Sequence, residues 1–180
     1  MKANALTLVH KYIRAELFDV SRLISSAGPE DVAAIQKAID AVVELLHQHA
    51  EHEEAGFEPH IRERNAGFAD RLVEEHRALH AELDAIVSSA HALDPDEPEA
   101  CTIALLKLHL DWNRFVGGYL LHLDEEERNW FADADALMPP VTAMKDAPPG
   151  WSEEAHQAFL RKLFAAIAPG ERAKVQGISD

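Results

Sequence analysis

A single cysteine among 180 residues rules out an internal disulfide and a cysteine-based zinc site. Cys101 is therefore read as a small core hydrophobe. Glycine is sparse, with 8 residues, and no alternating β-branched run is present, which favours an all-α chain over any sheet. Basic residues are outnumbered, 17 against 32 acidic, for a formal net charge of −15. Nucleic acid and anionic membrane surfaces both call for a basic face, so neither is an expected partner. No apolar run approaches a membrane span, and the opening MKANALTLVH is too short in apolar length for a signal peptide. A soluble, cytoplasmic protein is the expectation. The chain is 47% hydrophobic, enough at this length to bury one sizeable core. What is plentiful is histidine, with 11 residues.

Hydrophobic periodicity predicts a first helix over 4–26, with the stripe Leu6, His10, Ile13, Leu17, Val20, Ile24. Gly28-Pro29 ends it and starts a second helix over 30–58, which Pro59 ends or kinks. The short link makes these two antiparallel neighbours. After a polar segment at 60–66, a third helix over 67–92 carries Phe68, Leu72, His76, Leu79, Leu83 and Ile86, with His80 one turn past His76. The run DPDEP at 94–98 breaks the chain. A fourth helix over 98–132 aligns Leu105, Leu108, Trp112, Phe115, Tyr119, His122, Glu126 and Trp130, and Gly117-Gly118 within it marks a kink or a close approach. The segment 133–151, with four prolines, reads as a loop. Ser152 caps a fifth helix to 168 with Phe159, Leu163, Phe164 and Ile167 on one side, and the last ten residues read as frayed.

The second helix concentrates the chemistry. Its apolar face, Ile35, Ile39, Val42, Leu46, continues into His49, Glu53 and Phe57, so an imidazole and a carboxylate occupy core positions. Their burial is costly unless something binds them. His49 and Glu53 are four apart, as are His122 and Glu126, and each pair therefore shares one helix face. His10 and His76 add lone histidines on two further stripes. Imidazole with carboxylate suits iron, manganese or zinc. Two carboxylates from opposed helices can bridge two ions about 3.5–4 Å apart.

Each piece has a bland alternative. A lone histidine on an apolar face is commonly a hydrogen-bonded core residue, and a His/Glu pair at i, i+4 is commonly a surface pair contributing a few tenths of a kcal/mol. His47, His52, His60, His91 and His156 mostly miss the stripes or fall in loops and stay with that reading, as does His109, which is near the inward face of the fourth helix but has no carboxylate mate. Six in-phase donors on four helices do not arise readily from a solvated surface, and that conjunction favours a metal.

The chain resembles the hemerythrin-like (HHE cation-binding) domain family over about residues 5–138. The resemblance rests on His10, HAEHEEAGFEP around His49 and Glu53, EEHRALH in the third helix, and HLDEEERNWF in the fourth. It implies an up-down-up-down four-helix bundle over 1–138 around a non-heme, oxo- or hydroxo-bridged centre of two iron ions, with manganese or zinc as other occupants. The remainder, 139–180, is then a Pro-rich connection plus an additional C-terminal helix packed on or beside the bundle. The implied metal ligands are His10, His49, Glu53, His76, His80, His122 and Glu126. Family members differ over whether the third helix gives one histidine or two, which leaves His80 open. Glu127 competes with Glu126, and the stripe favours Glu126.

Such a site binds dioxygen or a related small ligand (nitric oxide, peroxide) as carrier, store or sensor. The alternatives are a diiron oxidoreductase that removes peroxide or nitric oxide or oxidises an organic substrate, and a zinc or mixed-metal structural site. A carrier expects a full ligand set, whereas an enzyme expects a missing ligand. The helix at 152–168 is the candidate for homodimer or partner contact.

Overall fold

The computed structural model describes residues 4–56, 58–137, 141–147 and 151–177, with 130–137 described by backbone alone. The chain is all-α. Its helices are α1 (Ala5–Ser25), α2 (Val32–Gly56), α3 (Glu58–Arg64), α4 (Ala66–His91), α5 (Pro98–Leu137), α6 (Glu153–Ala166) and α7 (Pro169–Gln176), with 3-10 turns at Pro29–Asp31 and Val141–Lys145. Among the described residues there is no strand. No helix among them is long and apolar enough to cross a membrane.

Local chemistry sets most of the helix starts. Asn4 and Thr7 cap α1 reciprocally: the Thr7 N–H donates to Asn4 Oδ1 (3.0 Å) and the Asn4 N–H to Thr7 Oγ1 (3.2 Å). Asn65 Oδ1 accepts from the Phe68 N–H at 3.1 Å to open α4. Ser152, the expected cap, accepts from the Ala155 N–H at 3.1 Å to open α6.

Several boundaries differ from the sequence expectation. Residues 60–66, expected as a polar link, fall largely in α3, whose Pro59 sits in the first turn where its missing N–H costs nothing. Glu58 in that turn and Arg62 and Arg64 in the last one suit the helix dipole, and Arg62 also pairs with Glu58. The fourth expected helix runs on to Leu137 rather than 132, because DADAL holds no breaker before Pro139. Gly117-Gly118 does not interrupt α5. A Cβ at Gly117 would meet nothing within 4 Å, and one at Gly118 only Leu79 at 3.8 Å. The expected frayed end contains α7. Glu171 accepts from the Ala168 N–H at 2.8 Å, Val175 is fully buried, and Gly177, at φ 72°, takes the left-handed conformation that closes the helix. Phe57 and the Trp130 side chain, both expected on stripes, lie outside the described residues.

Contacts group the chain into two compact units: residues 1–15 with 123–180, and residues 16–122. In the second, α2 packs along α4 and α3, and the stripes predicted for both long helices are buried through Ile35, Ile39, Val42, Leu46, Phe68, Leu72, Leu83 and Ile86. The side-chain amide of Gln36 donates to the Ala90 carbonyl at 3.1 Å and ties α2 to the end of α4. Trp112 is fully buried, and its indole N–H reaches Ser21 Oγ at 3.0 Å.

In the first unit α6 lies against the start of α1, with Tyr12 and Phe159 edge to face at 5.7 Å. The buried face of α6 is His156, Leu160, Leu163, with Ile167 following it. Phe159 and Phe164, expected on that face, are only half-buried. Lys11 Nζ donates to Glu171 Oε1 at 2.5 Å, holding α7 to α1.

Candidate metal centre

Each unit holds a buried set of imidazole and carboxylate donors. In residues 16–122 the set is His49 and Glu53 on α2, His76 on α4 and His122 on α5, none more than 7% exposed. Glu53 faces two imidazoles, one with each oxygen: Oε1 lies 3.3 Å from His49 Nε2 and Oε2 lies 3.5 Å from His76 Nε2. Glu53, His76 and His122 each offer a donor atom within 4.8 Å of the others'. The His76 and His122 rings meet edge to face at 4.7 Å. Three helices supply the set because the helical period turns each of these side chains inward with the apolar stripe beside it. Leu46 and Leu72, on those stripes, are buried next to them in sequence.

In the other unit the set is His10 on α1 and Glu126 on α5, both fully buried, with His10 Nε2 3.6 Å from Glu126 Oε2. Glu127 has a separate task. Its Oε1 stands 3.0 Å from His10 Nδ1, and Arg14 grips it with two guanidinium nitrogens at 2.7 and 3.2 Å. Burial pushes the Glu127 carboxyl up, but hydrogen bonds from His10 and Arg14, with their charges, outweigh it and bring it to about 2. An ionised carboxylate only accepts, so the His10 Nδ1 carries a proton, and Nε2 is left facing Glu126. His122 repeats the device: its Nδ1 lies 3.0 Å from Glu75 Oε2. A carboxylate behind an imidazole, fixing tautomer and ring angle while the other nitrogen faces inward, is the usual backing of a metal-bound histidine.

The donor chemistry therefore fits a cation. Carboxylates as buried as Glu53 and Glu126, at 2% and 0% exposure, are expensive to keep as anions in a dry interior, and a di- or trivalent ion held by either set would reverse that cost. Nitrogen and oxygen donors without thiolate suit iron, manganese or zinc.

His80 is placed differently from the other expected ligands. It is half-buried, and its ring meets His47 edge to face at 4.7 Å and stacks over His76 at 6.3 Å. Burial, then the neighbouring His47 and His76, push its pKa down. It belongs to neither buried donor group. Of the histidines set aside from the sequence, His91 pairs with Asp40 at 2.9 Å on the surface and His109 meets Asn113 at 3.0 Å. His156 is buried, at 2% exposure, but for packing: its Nε2 donates to the Met144 carbonyl at 3.1 Å. The backing groups Glu75 and Arg14 were not singled out from sequence. Arg14 stands four residues after His10, and that spacing was the available signal.

An all-α chain whose interior displays paired His/Glu donors at i, i+4, each histidine backed by a carboxylate or facing one, is a cation-binding helical protein by class. The Hemerythrin HHE cation binding domain matches residues 1–134, and the chain belongs to that family. No curated protein and no solved structure matches it.

Proposed function

We propose that the protein is a non-heme diiron protein that binds dioxygen or a related small ligand (nitric oxide or peroxide) as carrier, store or sensor. In this reading His10, His49, Glu53, His76, His122 and Glu126 would hold the two ions, within an up-down-up-down bundle. The single observation that carries it is Glu53, buried and presenting one oxygen to His49 and the other to His76. A carboxylate disposed in that way is suited to bridging. Family membership supports iron as the occupant. The spacing of four between His122 and Glu126 on the single helix α5 supports their acting together.

Two iron ions held there would supply one-electron redox chemistry toward a small ligand. The chain's own residues do the rest. Glu127 and Glu75 hold the His10 and His122 rings in the tautomer that leaves Nε2 as donor. Ile13, Leu46, Leu72 and Tyr119 are buried and keep bulk water out. Tyr119 rests its ring 5.7 Å from that of His122 and limits how far it can turn.

One observation favours the oxidoreductase reading as second choice: His80 belongs to neither buried donor group, and a set of six protein ligands leaves more of the coordination sphere to exogenous groups than a set of seven. The test is the visible spectrum as the reduced, iron-loaded protein meets dioxygen. Colour that reverses under vacuum supports binding, whereas rapid bleaching or consumption of added peroxide supports turnover. A loaded protein indifferent to dioxygen, nitric oxide and peroxide contradicts both.

A further inference from the structure

Beside α2 and α4, within residues 16–122, lies a solvent-open cleft of about 720 Å3 lined by Glu54, Glu58, Val73, His76, Arg77, His80, Ala81 and Asp84. Its floor is the point of interest. His76 lines the cleft although it is only 6% exposed, and its two nitrogens look in different directions. Nδ1 is 3.7 Å from Glu54 Oε1, a carboxylate half in solvent, and Nε2 is 3.5 Å from the buried Glu53 Oε2. One imidazole thus stands between an outer carboxylate and an inner one. Above it, His80 lies over His76 and against His47, with Glu54 and Asp84 near enough to act on it electrostatically. The cleft's one guanidinium, Arg77, pairs with Glu74, outside the lining, and of the cleft's carboxylates Glu58 is already held by Arg62.

We infer that this cleft is the route by which a divalent cation reaches the buried donors, passing from Asp84 and Glu54 at the mouth by way of His80 to His76 and Glu53. The inference rests on the metal-centre reading and adds the path to it. An ion entering a dry interior must exchange its water shell for protein donors in stages, since losing the shell at once costs far more than any single contact returns. Oxygen donors at the mouth and nitrogen donors deeper in provide such stages. Carboxylates at the mouth of a concave surface also raise the local cation concentration and the capture rate, and salt screens that effect. A neutral diatomic gains nothing from them, so the same residues distinguish cation entry from entry of the small ligand.

The experiment is stopped-flow uptake of Co2+ by the metal-stripped full chain, read by visible absorption, for the wild type, Glu54→Gln/Asp84→Asn and His80→Ala. The expected result is uptake slowed about five-fold or more in the double variant, within the range that electrostatic steering commands. Its dependence on ionic strength should flatten, final metal per chain should stay unchanged, and the rate of nitric oxide binding to the iron-loaded form should not move. His80→Ala should slow uptake without lowering the final metal content. Unchanged uptake rates in both variants overturn the inference. So does a lower final content in His80→Ala, which makes His80 a ligand of the centre, or an equal slowing of cation and nitric oxide. If the stripped chain unfolds, release of Co2+ from the loaded chain to a chelator reports the same path in reverse, with the same comparison deciding. Failure of the wild type to take up any metal contradicts the centre itself, a result separate from these.

Discussion

Glu53 is the residue on which most depends, because both of its oxygens face imidazoles and its side chain is 3% exposed. Glu53→Ala or His49→Ala is expected to reduce bound metal to a small fraction of the wild-type content, measured by elemental analysis of the purified protein. His156→Ala is expected to leave metal content intact while destabilising α6, since His156 is packed against Phe159 and bonded to Met144. Glu127 offers a finer test. As a backing group and not a donor, its replacement by Gln should keep metal bound but weaken it, by about 10–100-fold in affinity. Competition with a chelator measures this, and a complete loss of metal would instead make Glu127 a ligand.

At the scale of the element, sequence periodicity and caps located the long helices well because each combines an apolar stripe with a clear stop. The positions of His10, His49, Glu53, His76, His122 and Glu126 on buried faces were legible for the same reason: a donor in phase with Leu and Ile inherits their burial. Short helices were not legible. α3 and α7 have too few residues to display a stripe, and both depend on first-turn chemistry, Pro59 with Glu58 and Pro169 with Glu171. Nor does periodicity reveal what lies behind an imidazole, so Arg14 and Glu75 emerged only in three dimensions. His80 was in register with His76 by one turn but sits on the flank of the helix, toward His47.

α7 carries a pH prediction. Burial pushes the Glu171 carboxyl up, but the bonds from Lys11 and the Ala168 N–H bring it below its ordinary 4.5. A carboxyl depressed in the folded state adds stability above about pH 4.5 that fades as pH falls through the folded value. Loss of α7 helicity on acidification below that point is therefore expected. Glu171→Ala should reproduce it at neutral pH at a cost of about 1 kcal/mol, as for other lost caps, both read by hydrogen exchange of the 169–176 amides.

For the whole molecule, an ion bound only by the folded chain stabilises it by mass action, about 4 kcal/mol at a thousand-fold excess over Kd. The melting temperature should therefore rise on loading, and the rise should vanish in Glu53→Ala. A net charge of −15 works in the same direction, since neutralising buried carboxylates relieves part of the chain's self-repulsion. The most direct measurement is the amount and identity of metal in the purified chain, set beside that of Glu53→Ala prepared in parallel. Two iron ions per wild-type chain and close to none in the variant is the predicted result. Equal metal content in the two proteins, or a wild-type chain that holds none even after anaerobic incubation with ferrous iron, would contradict it.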